Sequence, residues 1–120
     1  MVSFSERFSN RFRRRGSGRI RSAEPSDEQH LTEFARTRNG VEAFVEPRTA
    51  VTETTMVLVA GSGEWTRRRV GGPEAAHALA HRLGIPAYDA GVVGYPQRMR
   101  EWNRRRAEQE RRDEDPRDTP

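Results

Sequence analysis

The stretch TTMVLVAGSGEWTRRRV, residues 54–70, constrains the fold more than any other part of the chain. Its first half is almost continuously apolar and rich in β-branched residues, which is typical of a central strand buried on both faces. The turn residues Gly61, Ser62 and Gly63 follow, and EWTRRRV then predicts a returning strand. We therefore expect an antiparallel β-hairpin.

The glycine pair of this hairpin also resembles the start of a dinucleotide-binding turn, in which an apolar strand runs into Gly-x-Gly. Such a turn requires a third glycine, where this chain has Thr66, and a helix that presents its N-terminus to a pyrophosphate. Because the residues after Gly63 predict a strand, the hairpin is the better interpretation. We expect no cofactor.

Turn residues and apolar periodicity predict further helices and strands on both sides of the hairpin. In the predicted helices, apolar stripes lie between capping residues, and in the predicted strands apolar residues alternate or run together between Gly and Pro. The predicted elements are a helix capped at Ser26, a strand at 41–47, the hairpin, a helix from Pro73 to Gly84, a strand at 85–93 and a helix from Pro96.

The order helix, three strands, helix, strand, helix predicts an α+β fold. We expect a small three- to four-stranded mixed sheet with two or three helices, flanked by disordered Arg-rich ends. Composition assigns residues 1–25 to a disordered basic arm and linker, and 26–104 to a single α+β domain. Residues 105–120 are then a frayed, charged helix end and a disordered tail.

The positive charge of the chain is concentrated at its N-terminus. The 22 Lys and Arg residues are all arginine and the net charge is +4, but residues 1–22 alone carry +6 and residues 23–97 carry −3. The absence of cysteine excludes disulfides, thiolate metal sites and cysteine nucleophiles. With neither a secretory apolar run nor an apolar stretch of about 20 residues, the sequence predicts a cytoplasmic protein without a transmembrane segment.

The N-terminal segment FSERFSNRFRRRG, residues 4–16, combines a phenylalanine at every fourth position with several arginines. On a helix the phenylalanines would form one stripe beside the arginines, but an isolated helix of this length is not stable in water. We predict a segment that is disordered when free and folds only on an anionic surface. Its candidate docking residues are Phe4, Phe8, Phe12, Arg7, Arg11, Arg13, Arg14 and Arg15.

Two internal clusters combine arginine with an aromatic residue. Arginine can hold a phosphate through two N–H groups while an aromatic ring stacks on a base. The alternative for the cluster on the strand is an edge strand that charge keeps soluble. The candidate phosphate or nucleic-acid contacts are Arg48, Trp65, Arg67, Arg68 and Arg69, with Arg98 and Arg100 at the start of the last helix.

His77 and His81 stand four residues apart on the second predicted helix, a spacing at which two imidazoles can bind one metal ion. At about 100° per residue they lie opposite the apolar residues of that helix, so they should face solvent. Because the sequence shows no third ligand beside them, we expect two exposed histidines and no metal site.

The element order resembles two known folds. The restriction-endonuclease-like core has the same order, but its metal nucleases carry an acid on the second strand and an acid-x-lysine on the third. Here the second strand has no acid, and Glu64 is followed by Trp65 and Thr66. The double-stranded-RNA-binding domain has the same order through its second helix, where lysines hold phosphates and this chain has Glu74. The chain therefore departs from both patterns at their functional positions.

The stretch VEAFVEPRTAVTETTMVLVAGSGEWTRRRV, with IPAYDAGVVGYPQRMR after it, looks similar to an uncharacterised family of small arginine-rich bacterial proteins. The resemblance covers roughly residues 40–105. It implies that this segment is the domain and that the N-terminal arm varies, and it implies no activity.

Three functions are compatible with these observations. The first is a small non-enzymatic binding module that associates with nucleic acid or the ribosome through Arg-rich surfaces. The second is an adaptor that docks on a protein partner or an anionic membrane surface through the N-terminal Phe/Arg segment. The third is an enzyme of unknown reaction, for which we assign no catalytic residue because no pair of groups has a spacing that chemistry demands. We favour the first.

Overall fold

The computed structural model describes residues 22–115 of the 120-residue chain. Within that range the fold is α+β with a four-stranded mixed sheet, as predicted, and it has four helices where two or three were expected. The elements are, in chain order, α1 (Pro25–Thr37), β1 (Glu42–Glu46), β2 (Thr55–Val59), β3 (Trp65–Arg69), α2 (Pro73–Leu83), β4 (Ala87–Asp89), α3 (Ala90–Val93) and α4 (Gln97–Glu114).

The predicted hairpin lies within this sheet as β2 and β3. The strand order is β3-β2-β1-β4, with β2 antiparallel to both of its neighbours and β4 parallel to β1. All five residues of β2 are buried, which confirms the prediction of a central strand covered on both faces. Strands β3 and β4 form the two edges of the sheet.

The alternation of side chains along β1 divides the interior into two apolar clusters. Ala43 and Val45 pack in the cluster that includes Leu31 of α1 and buried residues of α2. Phe44 lies on the opposite face, where it packs with Met99 of α4. The sheet is therefore the middle of three layers, with α1 and α2 on one side and α4 on the other.

Helix α1 begins earlier than the sequence predicted. Pro25 is the first helical residue, and Glu24 rather than Ser26 is the N-cap. The backbone N–H of Glu24 donates to the carboxylate of Asp27 at 2.8 Å, in a capping box between these two residues. The assignment of the cap to Ser26 is wrong because proline, which lacks an N–H, is well suited to the first helical position.

The segment predicted as a strand at 85–93 divides into two elements. Only Ala87–Asp89 pair with β1, and Ala90–Val93 form the single helical turn α3. Asp89 caps this turn by accepting a hydrogen bond from the Gly91 N–H at 2.9 Å. The strand ends there because an aspartate side chain offers backbone N–H groups an alternative to the ladder.

Helix α4 packs on the sheet with its first turns and then continues past it. Met99 is buried, and Trp102 lies beside the turn between β2 and β3. Gly63 in that turn has φ +97°, and its backbone contacts that of Arg98. The helix is continuous to Glu114, through residues that are mostly exposed and for which we predict fraying.

Candidate nucleic-acid interface

The Arg67 side chain is paired with a carboxylate on the α4 side of the sheet. Its Nε and Nη2 donate to the two carboxylate oxygens of Glu46, each at 2.9 Å, a bidentate geometry that suits arginine. Glu46 also accepts hydrogen bonds from the hydroxyls of Thr55 and Tyr95. Burial by itself raises the pKa of Glu46, but the hydrogen bonds from Arg67, Thr55 and Tyr95 together outweigh it, so the pKa is lowered. Glu46 is thus an ionised partner for Arg67.

Arg68 and Arg69 have looser contacts at the edge of the sheet. The Arg68 Nε lies 3.7 Å from an Asp27 carboxylate oxygen, and its Nη1 donates to the Arg67 carbonyl at 3.0 Å. The Arg69 Nε donates to the Ser22 carbonyl at 2.8 Å. An open cavity of about 370 Å³ lies here, lined by Asp27, Thr52, Thr55, Arg67, Arg68 and Arg69. The structure therefore brings together three of the predicted contacts.

The side chain of Trp65, the first residue of β3, is half-buried against α4. Its Nε1 donates to the Asn103 Oδ1 at 2.7 Å, and the Arg67 guanidinium lies 5.3 Å from the centroid of its ring. Trp65 thus already has a polar and a cationic neighbour from within the domain. Arg48 lies in the connection between β1 and β2 and is exposed, and within residues 22–115 it makes no hydrogen bond or ion pair.

Arg98 holds the start of α4 against the sheet. Its Nε donates to the Ala60 carbonyl at 2.8 Å, and its Nη2 donates to the Glu42 carboxylate at 2.7 Å. Glu42 also accepts a hydrogen bond from the Tyr88 hydroxyl at 3.2 Å. Both ends of the Arg98 guanidinium therefore have partners within the protein.

Helix α4 presents a row of exposed arginines, of which Arg100 is one of the predicted contacts. Arg100, Arg104 and Arg111 fall within about 40° of one another around the helix, at about 100° per residue. All three are exposed, and among the described residues none of them is paired with a carboxylate. Arg100 donates to the Tyr95 carbonyl at 3.1 Å. Their spacings of four and seven residues, which return to one helix face, are the signal that could have identified the row.

The residues considered as metal ligands from the sequence do not form a metal site in the described part of the chain. His77 and His81 are exposed on α2, as predicted. Glu64 pairs with Arg38 at 2.7 Å. The two carboxylates of β1, Glu46 and Glu42, pair with Arg67 of β3 and Arg98 of α4. Over residues 22–115, no three His, Cys, Asp or Glu side chains are close enough to share a metal ion. No helix in this range is long and apolar enough to cross a membrane.

The candidate docking segment, residues 4–16, lies outside the described residues, so its role stays a prediction. The described chain begins at Ser22, whose carbonyl accepts the hydrogen bond from Arg69. The first described residue therefore lies beside the edge strand β3.

Comparisons of the chain with protein-family models, with curated protein sequences and with solved structures give no match. The resemblance to an uncharacterised arginine-rich family therefore stays a prediction.

Proposed function

We propose that the protein is a small non-enzymatic module that binds nucleic acid, free or within the ribosome, through arginine side chains. The observation that carries the proposal is the row of Arg100, Arg104 and Arg111 on the exposed face of α4. Among the described residues these three have no carboxylate partner, whereas Arg67 and Arg98 do. Their guanidinium groups are available to neutralise phosphates and to release the counterions that those phosphates hold.

The dimensions of the row suit a phosphate backbone. At a rise of about 1.5 Å per residue, Arg100 and Arg111 lie about 16 Å apart along the helix axis. Each strand of a duplex presents a phosphate about every 3.4 Å along its axis, so the row covers about five nucleotide steps.

The start of the row is held against the sheet. Its first turn is fixed by the burial of Met99 and by the contacts of Arg98 with the sheet. Side chains on a packed helix keep their mutual spacing better than side chains on a loop, which favours contact with a regular ligand.

Glu108 lies beside the row and opposes its positive field. At about 100° per residue its direction is about 40° from that of Arg104 and about 60° from that of Arg111. Replacement of Glu108 by Gln should therefore strengthen binding, a result opposite in sign to that of removing an arginine.

The proposal is tested by fluorescence anisotropy with labelled single-stranded RNA, duplex RNA and duplex DNA at several salt concentrations. One double variant, Arg104→Glu with Arg111→Glu, reverses two charges of the row. The matched control, Arg36→Glu with Arg82→Glu, reverses two exposed arginines on α1 and α2 and changes the net charge equally.

We expect the row variant to lose about tenfold or more in affinity, and its slope of log K against log salt to fall by about two. The control should keep most of the affinity. Equal losses in both variants, or binding that is indifferent to salt, would refute the proposal.

Pull-down from lysate with and without nuclease separates this function from the adaptor hypothesis. Loss of the captured partners after nuclease treatment supports nucleic-acid binding. Capture that survives nuclease but is lost when Phe4, Phe8 and Phe12 are replaced by Ser would instead support docking through the N-terminal segment.

A further inference from the structure

The cavity beside β3 is lined by arginines from both faces of the sheet. Side chains alternate along a strand, so Arg67 and Arg69 extend on the α4 side and Arg68 on the α1 side. The contacts of Arg67 with Glu46 and of Arg68 with Asp27 agree with this alternation. Because β3 is an edge strand, these successive side chains can approach one another around its free edge. The Arg69 Nε extends around this edge to the Ser22 carbonyl, just before α1. Guanidinium groups that start from both faces of the sheet therefore line the cavity.

The main chain of β3 adds hydrogen-bond donors at the same edge. Val70, just after β3, donates its N–H to the Thr54 carbonyl, which precedes β2. In an antiparallel pair, successive residues point their main-chain groups alternately toward and away from the partner strand. The N–H groups of Arg67 and Arg69 therefore point away from β2, toward the free edge.

The charge of the residues that line the cavity is positive. Asp27 is the one carboxylate among the described lining residues, against three arginines. Glu46 accepts hydrogen bonds from Nε and Nη2 of Arg67, so the Nη1 group of Arg67 remains for a ligand. Arg69 uses its Nε for a main-chain carbonyl, and within residues 22–115 no carboxylate pairs with its guanidinium. Arg69 is therefore the side chain that is best placed to receive an anion.

We propose that this cavity binds a phosphate group, with Arg69 as the main contact and Arg67 and Arg68 beside it. Its volume of about 370 Å³ lies at the lower end of the range of ligand sites, about 300–1,000 Å³. Guanidinium groups bind phosphate in a planar, two-donor geometry, which favours phosphate over a simple halide. The phosphate could belong to a free phosphate ester or to a nucleic-acid strand, and only the second source rests on the function proposed for α4.

The test is an NMR titration of the full-length, isotope-labelled chain with inorganic phosphate, at constant ionic strength with chloride as the balancing anion. We expect the amide and Nε signals of Arg67, Arg68 and Arg69 to shift and to saturate at millimolar phosphate. Arg69→Gln should abolish the saturation. Arg82→Gln, which changes an exposed arginine paired with Glu28, should leave it unchanged.

Three results would contradict the proposal that this cavity binds phosphate. They are the absence of saturable shifts at residues 67–69, the same saturation in Arg69→Gln as in the native chain, and equal shifts at all exposed arginines. A folded Arg69→Gln variant is verified by the dispersion of its remaining amide signals, so loss of the fold cannot be taken for loss of the site.

A second titration, with a short oligonucleotide with or without a 5′-phosphate, identifies the source of the phosphate. Stronger shifts at residues 67–69 with the 5′-phosphate indicate a terminal phosphate ester, and equal shifts indicate the strand. The two proposals can fail separately. If the double variant Arg104→Glu with Arg111→Glu binds the oligonucleotide as tightly as the native chain, the function proposed for α4 is wrong. If inorganic phosphate still saturates the cavity in that variant, the phosphate site is supported. If only the α4 variant loses oligonucleotide binding, and Arg69→Gln responds to inorganic phosphate and to the oligonucleotide as the native chain does, the proposed phosphate site is wrong and the function proposed for α4 is supported.

Discussion

Gly63 and Arg98 are in backbone contact, so close that a Cβ at Gly63 would lie 2.1 Å from the Arg98 carbonyl oxygen. The same Cβ would lie 2.9 Å from the Cβ of Trp102. Glycine at this position therefore lets the turn between β2 and β3 sit directly against α4. The φ of +97° at Gly63 is a second reason that another residue fits poorly.

Gly63→Ala should destabilise the domain by about 2–4 kcal/mol, because the positive φ alone costs about 1–2 kcal/mol and the contact must also open. The measurement is urea unfolding followed by circular dichroism. Gly84→Ala is the matched control: Gly84 has φ +72° but nothing within 4 Å of a Cβ, so only the conformational part of the loss applies. Equal losses in the two variants would show that the contact with α4 is unimportant.

Glu46→Gln should lower the free energy of unfolding at neutral pH by about 1–3 kcal/mol, because the Arg67 guanidinium loses its charged acceptor. Tyr95→Phe, which removes one hydrogen bond to Glu46, should cost about 1 kcal/mol. Glu33→Gln, at an exposed position of α1, is the control and should change little.

The effect of Glu46 should depend on pH in a defined direction. Its pKa is lowered in the folded protein, so its contribution is present above the unfolded value of about 4.3 and is lost as pH falls through the folded value. The difference between the native chain and Glu46→Gln should therefore shrink in strongly acid solution. A difference that grows on acidification would contradict the assignment of Glu46 as an ionised partner.

His30 should make stability fall on mild acidification. Its Nε2 lies 2.6 Å from the Thr66 Oγ1. Burial lowers the pKa of His30, the charges of Arg68 and Arg38 lower it further, and Asp27 opposes the change. Because the unfolded chain then binds the proton more tightly than the folded protein, stability decreases as pH falls from about 6.5 toward the folded pKa, and this contribution is constant below it.

Unfolding by urea at a series of pH values tests this dependence. His30→Gln should remove the decrease just below about pH 6.5. His81→Gln, at an exposed position on α2, should retain it. A decrease that persists unchanged in His30→Gln would assign the effect to another group.

The N-terminal segment should contribute charge rather than apolar contact to nucleic-acid binding. Replacing the five arginines of residues 4–16 by Gln in the full chain should reduce the slope of log K against log salt by up to about four. Replacing Phe4, Phe8 and Phe12 by Ser should leave that slope unchanged. A larger loss from the phenylalanine variant would favour the adaptor hypothesis.

The parts of the fold that could be predicted from sequence are those with local signals. Helix α2 lies between Pro73 at its first position and Gly84, which adopts the left-handed conformation at its end, as those residue types predict. The apolar run of β2 likewise identified the central strand. The placement of β4 beside β1, and the end of that strand at Asp89, depend on tertiary pairing and on one side-chain hydrogen bond, which periodicity does not show.

The candidate site was harder to predict, because the partners of its arginines are distant in sequence. Arg67 pairs with Glu46, 21 residues away, and Arg98 pairs with Glu42, 56 residues away. From composition alone such arginines are predicted to be available to a ligand, although in the folded protein they are already paired with carboxylates. The row on α4 was predictable in principle, since Arg104 and Arg111 repeat the helical direction of Arg100.

The two ends of the described chain are associated with opposite ends of β3. Ser22 lies beside Arg69 at the end of β3, whereas α4 passes the turn at the start of β3 and continues to Glu114. A five-residue strand spans about 17 Å, and the helix beyond Trp102 adds about 18 Å. The arginines at these two ends are therefore on the order of 30 Å apart, and a duplex needs a footprint of about nine base pairs to reach both. Shorter oligonucleotides would occupy one end at a time and report on each separately.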